Sequence, residues 1–194
     1  DFVADDNALF RLYGDAARVD ERTLRATVAI GTERTLEQDP MFALRILVDI
    51  ALKALSPAIN DPTTAVLALD QIHRLLRLLG KRHLRDEVLH DATGAPRVVF
   101  RTPNWNDYVH AACREIRACG AGSLQVVRRM RAMLDDLLEA LPDSRHPPVL
   151  REIQILDRVI ETSFALPEDR ELARIGDTQG LGGTVAGGAP GSNA

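Results

Sequence analysis

Two amphipathic helical patterns joined by a short proline-containing linker constrain the fold more than any other feature of the sequence. Residues 40–55 and 62–79 each repeat apolar side chains with the period of a helix. Pro57 ends the first pattern, because proline lacks a backbone N–H and disfavours helical geometry in the preceding residue. Asp61 and Pro62 are typical of the N-cap and first residue of a helix. The sequence therefore predicts that the two segments form a helical hairpin.

The same periodicity predicts further helices after this hairpin. They cover residues 104–118, 124–141 and 147–164, and a short helix follows Pro167. Aromatic residues make up only 4% of the chain, so Leu, Val, Ile and Ala must build the core, which favours helices packed on helices. The predicted fold class is mainly α, a bundle of five or six helices with a small β-element at the N-terminus.

The two ends of the chain differ from the predicted bundle. Residues 8–13 and 24–30 suggest short strands, and a third strand is predicted at residues 97–100 after a turn at 91–94. Because the chain opens at Asp1 without a leader, we expect it to be a piece of a longer protein. Glycines crowd its last residues, which is typical of a flexible tail. The predicted regions are residues 1–32, an incomplete β-element; 33–176, the helical bundle domain; and 177–194, the tail.

Composition argues against several classes of function. A formal net charge of -4 provides no global field that attracts nucleic acid, so neither DNA nor RNA is an expected partner. Cys113 and Cys119 lie on opposed faces of one predicted helix, too far apart to form a disulfide. The five histidines form no HxxxH or HExxH pair, and neither a metal nor another cofactor is predicted. No run of apolar residues is long enough to predict a membrane span.

The hairpin linker is the densest run of small polar groups and the first candidate site. Ser56, Asn60, Asp61, Thr63 and Thr64 gather at a helix N-terminus, where free backbone N–H groups can bind an anion. The alternative is structural, with Asp61 as the helix cap and Asn60 fixing the linker. We favour the structural explanation, because each residue of the run has a cap or turn role and because Asp61 would repel an anion.

The polar segment 33–39 before the first long helix is a second candidate. Arg34 is the group there that could bind an anion, and Arg45 on the polar face of the following helix is a further candidate contact. Interpreted structurally, the segment is a solvated loop in which Asp39 caps the helix, and this interpretation is favoured.

The basic run 128–131 lies within the predicted helix 124–141. It could contact anionic lipid headgroups. A solvated charged face is the favoured interpretation, because Asp135, Asp136 and Glu139 follow within one or two turns.

The hairpin also carries a family resemblance. The run from Thr35 to Ala51, continuing from Ala54 to Ala65 through the linker, resembles the predicted bacterial membrane proteins called domain of unknown function 2254. The likeness is specific over residues 33–80 and weaker but colinear over 116–160. The resemblance implies a full-length protein with several transmembrane helices before Asp1, of which this chain is the extramembrane part. It implies no activity, ligand or catalytic residue.

Three hypotheses of function follow. The leading one is a non-enzymatic interaction or regulatory domain of a bacterial inner-membrane protein, attached through its missing N-terminal region and able to form homo-oligomers through helix faces. The second is a ligand sensor or enzyme whose small polar or anionic ligand contacts the candidate residues of the linker and its surroundings, including Arg34 and Arg45. The third is a support or gating domain of a transporter.

Overall fold

The computed structural model describes residues 3–4, 7–14, 19–31, 39–84 and 88–183 of the chain. Contacts divide the chain into two compact units, residues 1–34 and residues 35–194. Within the described residues there are seven α-helices and one sheet of two strands. The predicted mainly α class with a small β-element is therefore confirmed.

The described part of the first unit contains a short helix, α1 (Glu21–Ala26), and no strand. Asp20 caps this helix, since its Oδ2 accepts a hydrogen bond from the backbone N–H of Thr23 at 3.0 Å. The strands predicted at residues 8–13 and 24–30 are thus wrong. An alternating pattern becomes a strand only when a neighbouring strand satisfies its backbone groups, and the described residues of this unit contain none.

The second unit contains the predicted hairpin and bundle. Its helices are α2 (Pro40–Ala54), α3 (Pro62–Gly80), α4 (Trp105–Cys119), α5 (Leu124–Ala140), α6 (His146–Ser163) and α7 (Pro167–Ala173). The five long helices begin and end within one residue of their predicted bounds. Side chains of Asp39, Asp61, Asn104 and Ser123 accept hydrogen bonds from the first turns of α2 to α5 and so fix where these helices start.

The long helices form a ring of neighbours. Helix α2 packs on α3 and α4, α3 packs on α5, and α6 closes the ring by packing on both α5 and α4. Their apolar faces meet in one core, whose largest fully buried side chains are Leu44, Leu69, Ile72, Leu76, Ile116, Met130, Met133, Leu134, Leu137, Leu156 and Ile160. Aliphatic side chains and methionine dominate this core, in agreement with the low aromatic content.

The small β-element is a hairpin between α3 and α4. Strands β1 (Val88–His90) and β2 (Pro96–Val99) pair antiparallel. Asp91 holds the turn by accepting hydrogen bonds from the backbone N–H groups of Thr93 and Ala95, and its bonds to Thr93 and Arg97 lower the pKa of its carboxyl to about 2. The predicted turn and third strand are confirmed, and the strand pair lies here instead of at the N-terminus.

The chain after α7 forms an ordered loop, residues 174–183, which we call the C-terminal loop. Asp177 is buried, and its carboxylate accepts hydrogen bonds from the backbone N–H groups of Gln179, Gly180 and Gly182 at 2.6–3.1 Å. Within the predicted tail, residues 177–183 thus form a hydrogen-bonded loop, in which glycine provides close packing and positive φ angles. Residues 184–194 of that tail lie outside the described residues.

We expect alanine to be tolerated less well at Gly180 than at Gly182. Both glycines have positive φ (+71° and +80°), so both substitutions carry the strain of a left-handed alanine. Only at position 180 would the new Cβ also lie 2.5 Å from Cγ1 of Val66. The additional cost of Gly180→Ala should be about 1–3 kcal/mol. Denaturant unfolding and amide hydrogen exchange of the C-terminal loop measure it, and equal effects of the two variants would contradict this packing.

Candidate functional site

The elbow, residues 55–61 between α2 and α3, is built around Asp61. Its Oδ1 accepts the backbone N–H of Thr64 at 3.0 Å and its Oδ2 accepts the hydroxyl of Thr64 at 2.5 Å. These hydrogen bonds lower the pKa of the Asp61 carboxyl. The backbone N–H of Asp61 donates to the carbonyl of Ala54 at 2.8 Å, which ties the start of α3 to the end of α2.

Ser56 and Asn60 complete the elbow. The hydroxyl of Ser56 donates to the carbonyl of Lys53, and the backbone N–H of Asn60 donates to the carbonyl of Ser56, both at 2.8 Å. Asn60 has a φ of +48°, a left-handed conformation that asparagine adopts more readily than most residues. Thr63 is exposed in the first turn of α3. The side chains of Ser56, Asp61 and Thr64 thus hold the turn, while a ligand at the elbow stays a prediction.

Arg45 lies apart from the elbow. It is 11 residues before Ser56, or about 16 Å along a helix axis. Its guanidinium pairs with Asp49 one turn away, with Nε to Oδ1 at 2.7 Å, and with Glu115 of α4. The structure therefore brings together the candidates of the elbow but places Arg45 at the contact of α2 with α4. Arg34 lies outside the described residues.

We expect Asn60 to matter for its backbone conformation. Asn60→Ala should lower the free energy of unfolding by about 1 kcal/mol, because alanine is strained at positive φ. Asn60→Gly should leave it nearly unchanged or raise it, because glycine adopts this conformation without strain. Chemical denaturation of both variants provides the measurement. A loss of similar size in Asn60→Gly would indicate a role for the amide side chain itself.

A partly buried polar cluster at the contact of α3 with α5, which we call the seam, was not predicted. It consists of Asp70, His73, Arg77, Arg129 and Asp136. The side chain of Arg129 is only 7% exposed, and its Nε donates to Asp70 at 2.6 Å. The interpretation of the basic run 128–131 as a solvated face is wrong for Arg128 and Arg129, since both are buried and find their partners far away in sequence.

His73 lies at the centre of the seam. Arg129 Nη2 is 3.0 Å from Nδ1 of His73, and a guanidinium can only donate, so Nδ1 accepts. The single proton of the neutral ring is then on Nε2, which donates to Asp136 at 2.7 Å. Arg77 donates to the same carboxylate. Burial lowers the pKa of His73, and the charge of Arg129 adds to this effect while Asp136 opposes it.

The lowered pKa of His73 makes stability depend on pH. The ordinary pKa of 6.5 applies to the unfolded chain, so acid protonates His73 more readily when the chain is unfolded. The neutral ring of His73 contributes fully to the free energy of unfolding above pH 6.5. This contribution is lost as the pH falls from 6.5 through the lower pKa of the folded state. His73→Gln keeps an acceptor and a donor but does not titrate, so its unfolding free energy should fall less on acidification than that of the wild type.

Denaturant unfolding between neutral pH and mildly acidic pH measures this difference. His83→Gln is the matched control, because it removes an exposed imidazole from outside the seam. If His83→Gln flattens the pH profile as much as His73→Gln, the dependence does not come from the seam.

A second unpredicted feature is a cleft between the first turns of α4 and α6, the α4–α6 cleft. It has a volume of about 200 Å³ and is lined by Asn106, Asp107, Val109, His110, Pro148, Arg151 and Glu152. Trp105 Nε1 donates to the carbonyl of Arg145 at 2.7 Å and so joins the starts of the two helices beside it. His110 is one of the five histidines that form no metal-binding pattern in the sequence, and nothing local to it indicates its proximity to α6.

Glu152 is the buried charge of this cleft. Its side chain is 5% exposed and pairs with Arg117 of α4. Burial raises the pKa of the Glu152 carboxyl, while the positive charges of Arg117, His110 and Arg114 lower it. A buried carboxyl with a perturbed pKa at the wall of a cleft is a feature that recurs in binding and catalytic sites. Among the described residues, no three His, Cys, Asp or Glu side chains converge as a metal site.

The hairpin and bundle define a mainly α chain, and comparison with known proteins gives its family. Residues 1–136 match the model of the family described as "Predicted membrane protein (DUF2254)". The chain belongs to this family, as the resemblance of the hairpin run implied. In the part of the chain that the structure describes, no helix is both long and apolar enough to cross a membrane.

Relatives of the chain include two mycobacterial proteins. Uncharacterized protein Rv1290c of Mycobacterium tuberculosis (strain H37Rv) and Uncharacterized protein Mb1321c of Mycobacterium bovis are each 37% identical to it over 153 residues. The match covers 78% of this chain and 29% of each relative, so the chain spans less than a third of the length of these proteins. No solved structure matches the chain.

Proposed function

We propose that the helical unit is a non-enzymatic interaction domain of a bacterial inner-membrane protein, and that it associates with a second copy of itself through the outward face of α2. The observation that carries this proposal is an apolar row on that face, Phe42, Ile46 and Ile50, which we call the outer row. Membership of a predicted membrane protein family supports the attachment to a membrane, through residues outside this chain.

The outer row interrupts an otherwise amphipathic helix. Its members are four residues apart and therefore follow one line along α2. Ile46 is 37% exposed and Ile50 is 45% exposed, while the opposite face of α2 buries Leu44 and Val48 in the core. Single exposed apolar residues are common, but a contiguous apolar row with a polar border is typical of an interaction surface.

Charged residues border the outer row, and further apolar residues of the helical hairpin are exposed. Arg45 and Asp49 border the outer row on one side and form an ion pair with each other, and Arg45 also pairs with Glu115. Ile59 in the elbow and Leu67 in α3 are also exposed. An apolar centre with a polar rim is the usual composition of a protein interface.

A second copy of the chain fits this surface. Dimers with two-fold symmetry need only one patch, because the same residues contribute from both copies. When two α2 helices pair antiparallel with Ile46 opposite Ile50, both copies present Arg45 and Asp49 on the same side. Each Arg45 then lies two residues along the axis from an Asp49 of the other copy, which adds charge complementarity.

The oligomeric state of the chain tests this proposal. The wild type should show a concentration-dependent dimer by light scattering or sedimentation, and Ile46→Gln with Ile50→Gln should make it monomeric, because the substitutions place amides in an apolar contact. The matched control is Leu150→Gln in α6, since Leu150 is 45% exposed, as Ile50 is. This control should dimerise like the wild type.

Two results would contradict the proposal. A wild type that is monomeric at every concentration would exclude the second copy and leave another segment of the longer protein as the partner of the outer row. A dimer that persists in the double variant, or is lost in Leu150→Gln, would place the contact elsewhere.

A further inference from the structure

The β-hairpin, residues 88–99 between α3 and α4, offers an uncovered surface. Strands β1 and β2 make their main contacts with each other, and every side chain of β2 is exposed. The described residues add no third strand, so each strand keeps one edge unpaired. A hairpin of two strands is marginally stable by itself and gains stability when its apolar side chains have a surface to pack on.

One face of the β-hairpin carries an apolar cross-strand pair. Leu89 and Val98 are direct partners in the register, so their side chains lie next to each other on the same face. They are 49% and 50% exposed, and Val99 on the opposite face is 73% exposed. An adjacent pair of this kind forms a continuous apolar surface, which a single exposed side chain does not.

Unpaired cations flank the apolar pair. Lys81, Arg82 and Arg101 are exposed, and their side chains make no ion pair or hydrogen bond with the described part of the chain. Within residues 81–84 and 88–101 the acidic side chain is Asp91, which already pairs with Arg97 at 2.6 Å. Over residues 81–101 as a whole, the sequence has five lysines and arginines against three acidic residues, whereas the net charge of the chain is -4. Positive charge is therefore concentrated in this segment.

Contacts at the base of the β-hairpin hold these cations beside it. Trp105 at the start of α4 lies against Gly80 at the end of α3, where a Cβ atom would be 3.2 Å from Cη2 of the indole. Arg145 donates hydrogen bonds to the backbone carbonyls of Gly80 and Arg82 at 3.2 and 2.9 Å. Two of the cations follow Gly80 directly. Arg101 precedes Trp105 by four residues, which is at most about 14 Å of extended chain.

We propose that the β-hairpin lies on an anionic lipid surface. Leu89 and Val98 enter the boundary between headgroups and acyl chains. The aliphatic stems of Lys81, Arg82 and Arg101 lie along this boundary, while their charges contact phosphate groups. This inference rests on the membrane attachment proposed above, which keeps the chain within reach of a bilayer.

An anionic bilayer fits both parts of this surface. Its negative potential attracts the unpaired cations, and its apolar layer receives the cross-strand pair. A further peptide strand on an edge of the sheet would pair with the backbone groups of that edge but would leave the cations without a partner. The combination of apolar and basic side chains therefore favours lipid over an added strand.

Vesicle co-sedimentation of this chain at up to millimolar lipid tests the proposal. Vesicles of phosphatidylglycerol and phosphatidylcholine in equal parts should bind the chain. Vesicles of phosphatidylcholine alone should bind it at least about tenfold more weakly, because they have no net negative charge to attract the cations. Binding to the anionic vesicles should also weaken when the salt concentration is raised from about 0.1 M to about 1 M, since salt screens exposed charges.

Two double substitutions separate the charged contact from the apolar one. Lys81→Gln with Arg82→Gln should weaken binding to the anionic vesicles about twentyfold, since each cation near such a surface contributes about fivefold. Leu89→Gln with Val98→Gln keeps the net charge and should weaken binding about tenfold, because an amide is disfavoured in the apolar layer. All four side chains are exposed, so the bundle should keep its unfolding midpoint in both variants.

The matched control is Lys53→Gln with Arg158→Gln. It changes the net charge by the same amount as the substitution of the two cations, and both of its side chains are exposed. Lys53 lies beside the elbow, at the other end of α3 from Gly80, which is about 28 Å away along a helix of 19 residues. This control should bind the anionic vesicles like the wild type.

Each other outcome overturns the proposal. No binding to the anionic vesicles would exclude a lipid surface as the partner, and equal binding to both kinds of vesicle would exclude the charged contact. If Leu89→Gln with Val98→Gln binds like the wild type, the β-hairpin does not enter the bilayer. A loss in the control as large as that in Lys81→Gln with Arg82→Gln would reduce the attraction to net charge. Dimer formation through the outer row is measured without lipid, so the two proposals can fail separately.

Discussion

Two consecutive buried arginines of α5 impose the constraint on which the helical unit depends. A guanidinium is tolerated inside a protein only when its donors are matched, and Arg128 and Arg129 are both buried. Arg129 is matched by Asp70 and His73, which fixes how α3 lies on α5. Arg128 is matched by backbone carbonyls of the C-terminal loop at 2.8–3.3 Å, which fixes the path of the chain after α7. Successive side chains of a helix point about 100° apart, so Arg128 and Arg129 face different neighbours. The hydrogen-bond donors of both arginines are matched only when α5 lies between α3 and this loop.

The elements that the sequence predicts correctly are those with local signals. Asp61 followed by Pro62 determines where α3 starts, because a cap and a fixed φ act within one turn and need no tertiary contact. Ser123 acts in the same way for α5, and Gly120 ends α4. The hairpin was predictable for this reason, and so were the bounds of all five long helices.

The features that the sequence does not predict depend on contacts between distant segments. The acidic residues that follow Arg129 within α5 suggest that its partners are local. Its partner is instead Asp70, 59 residues away, and this ion pair lowers the energetic cost of burying Arg129 in the seam. The glycines of the C-terminal loop suggest flexibility in the sequence. In the structure, the backbone N–H groups of Gly180 and Gly182 donate to the carboxylate of Asp177. At the elbow, Asp61 accepts hydrogen bonds from Thr64, which is the contact that a helix cap makes, and a ligand there stays a prediction. The α4–α6 cleft joins segments about 40 residues apart, as the bond from Trp105 to Arg145 illustrates.

The outer row and the α4–α6 cleft draw on different parts of the chain. The outer row and all residues of the seam lie within residues 1–136, the stretch that matches the family model, whereas Arg151 and Glu152 lie beyond it. The outer row lies within the hairpin, which local signals specify. The cleft needs α6, whose position depends on its own core residues, such as Leu156, and on the pair of Glu152 with Arg117. Sites without shared partners are energetically nearly independent, so substitutions in α6 that alter the cleft should leave the surface of the hairpin unchanged.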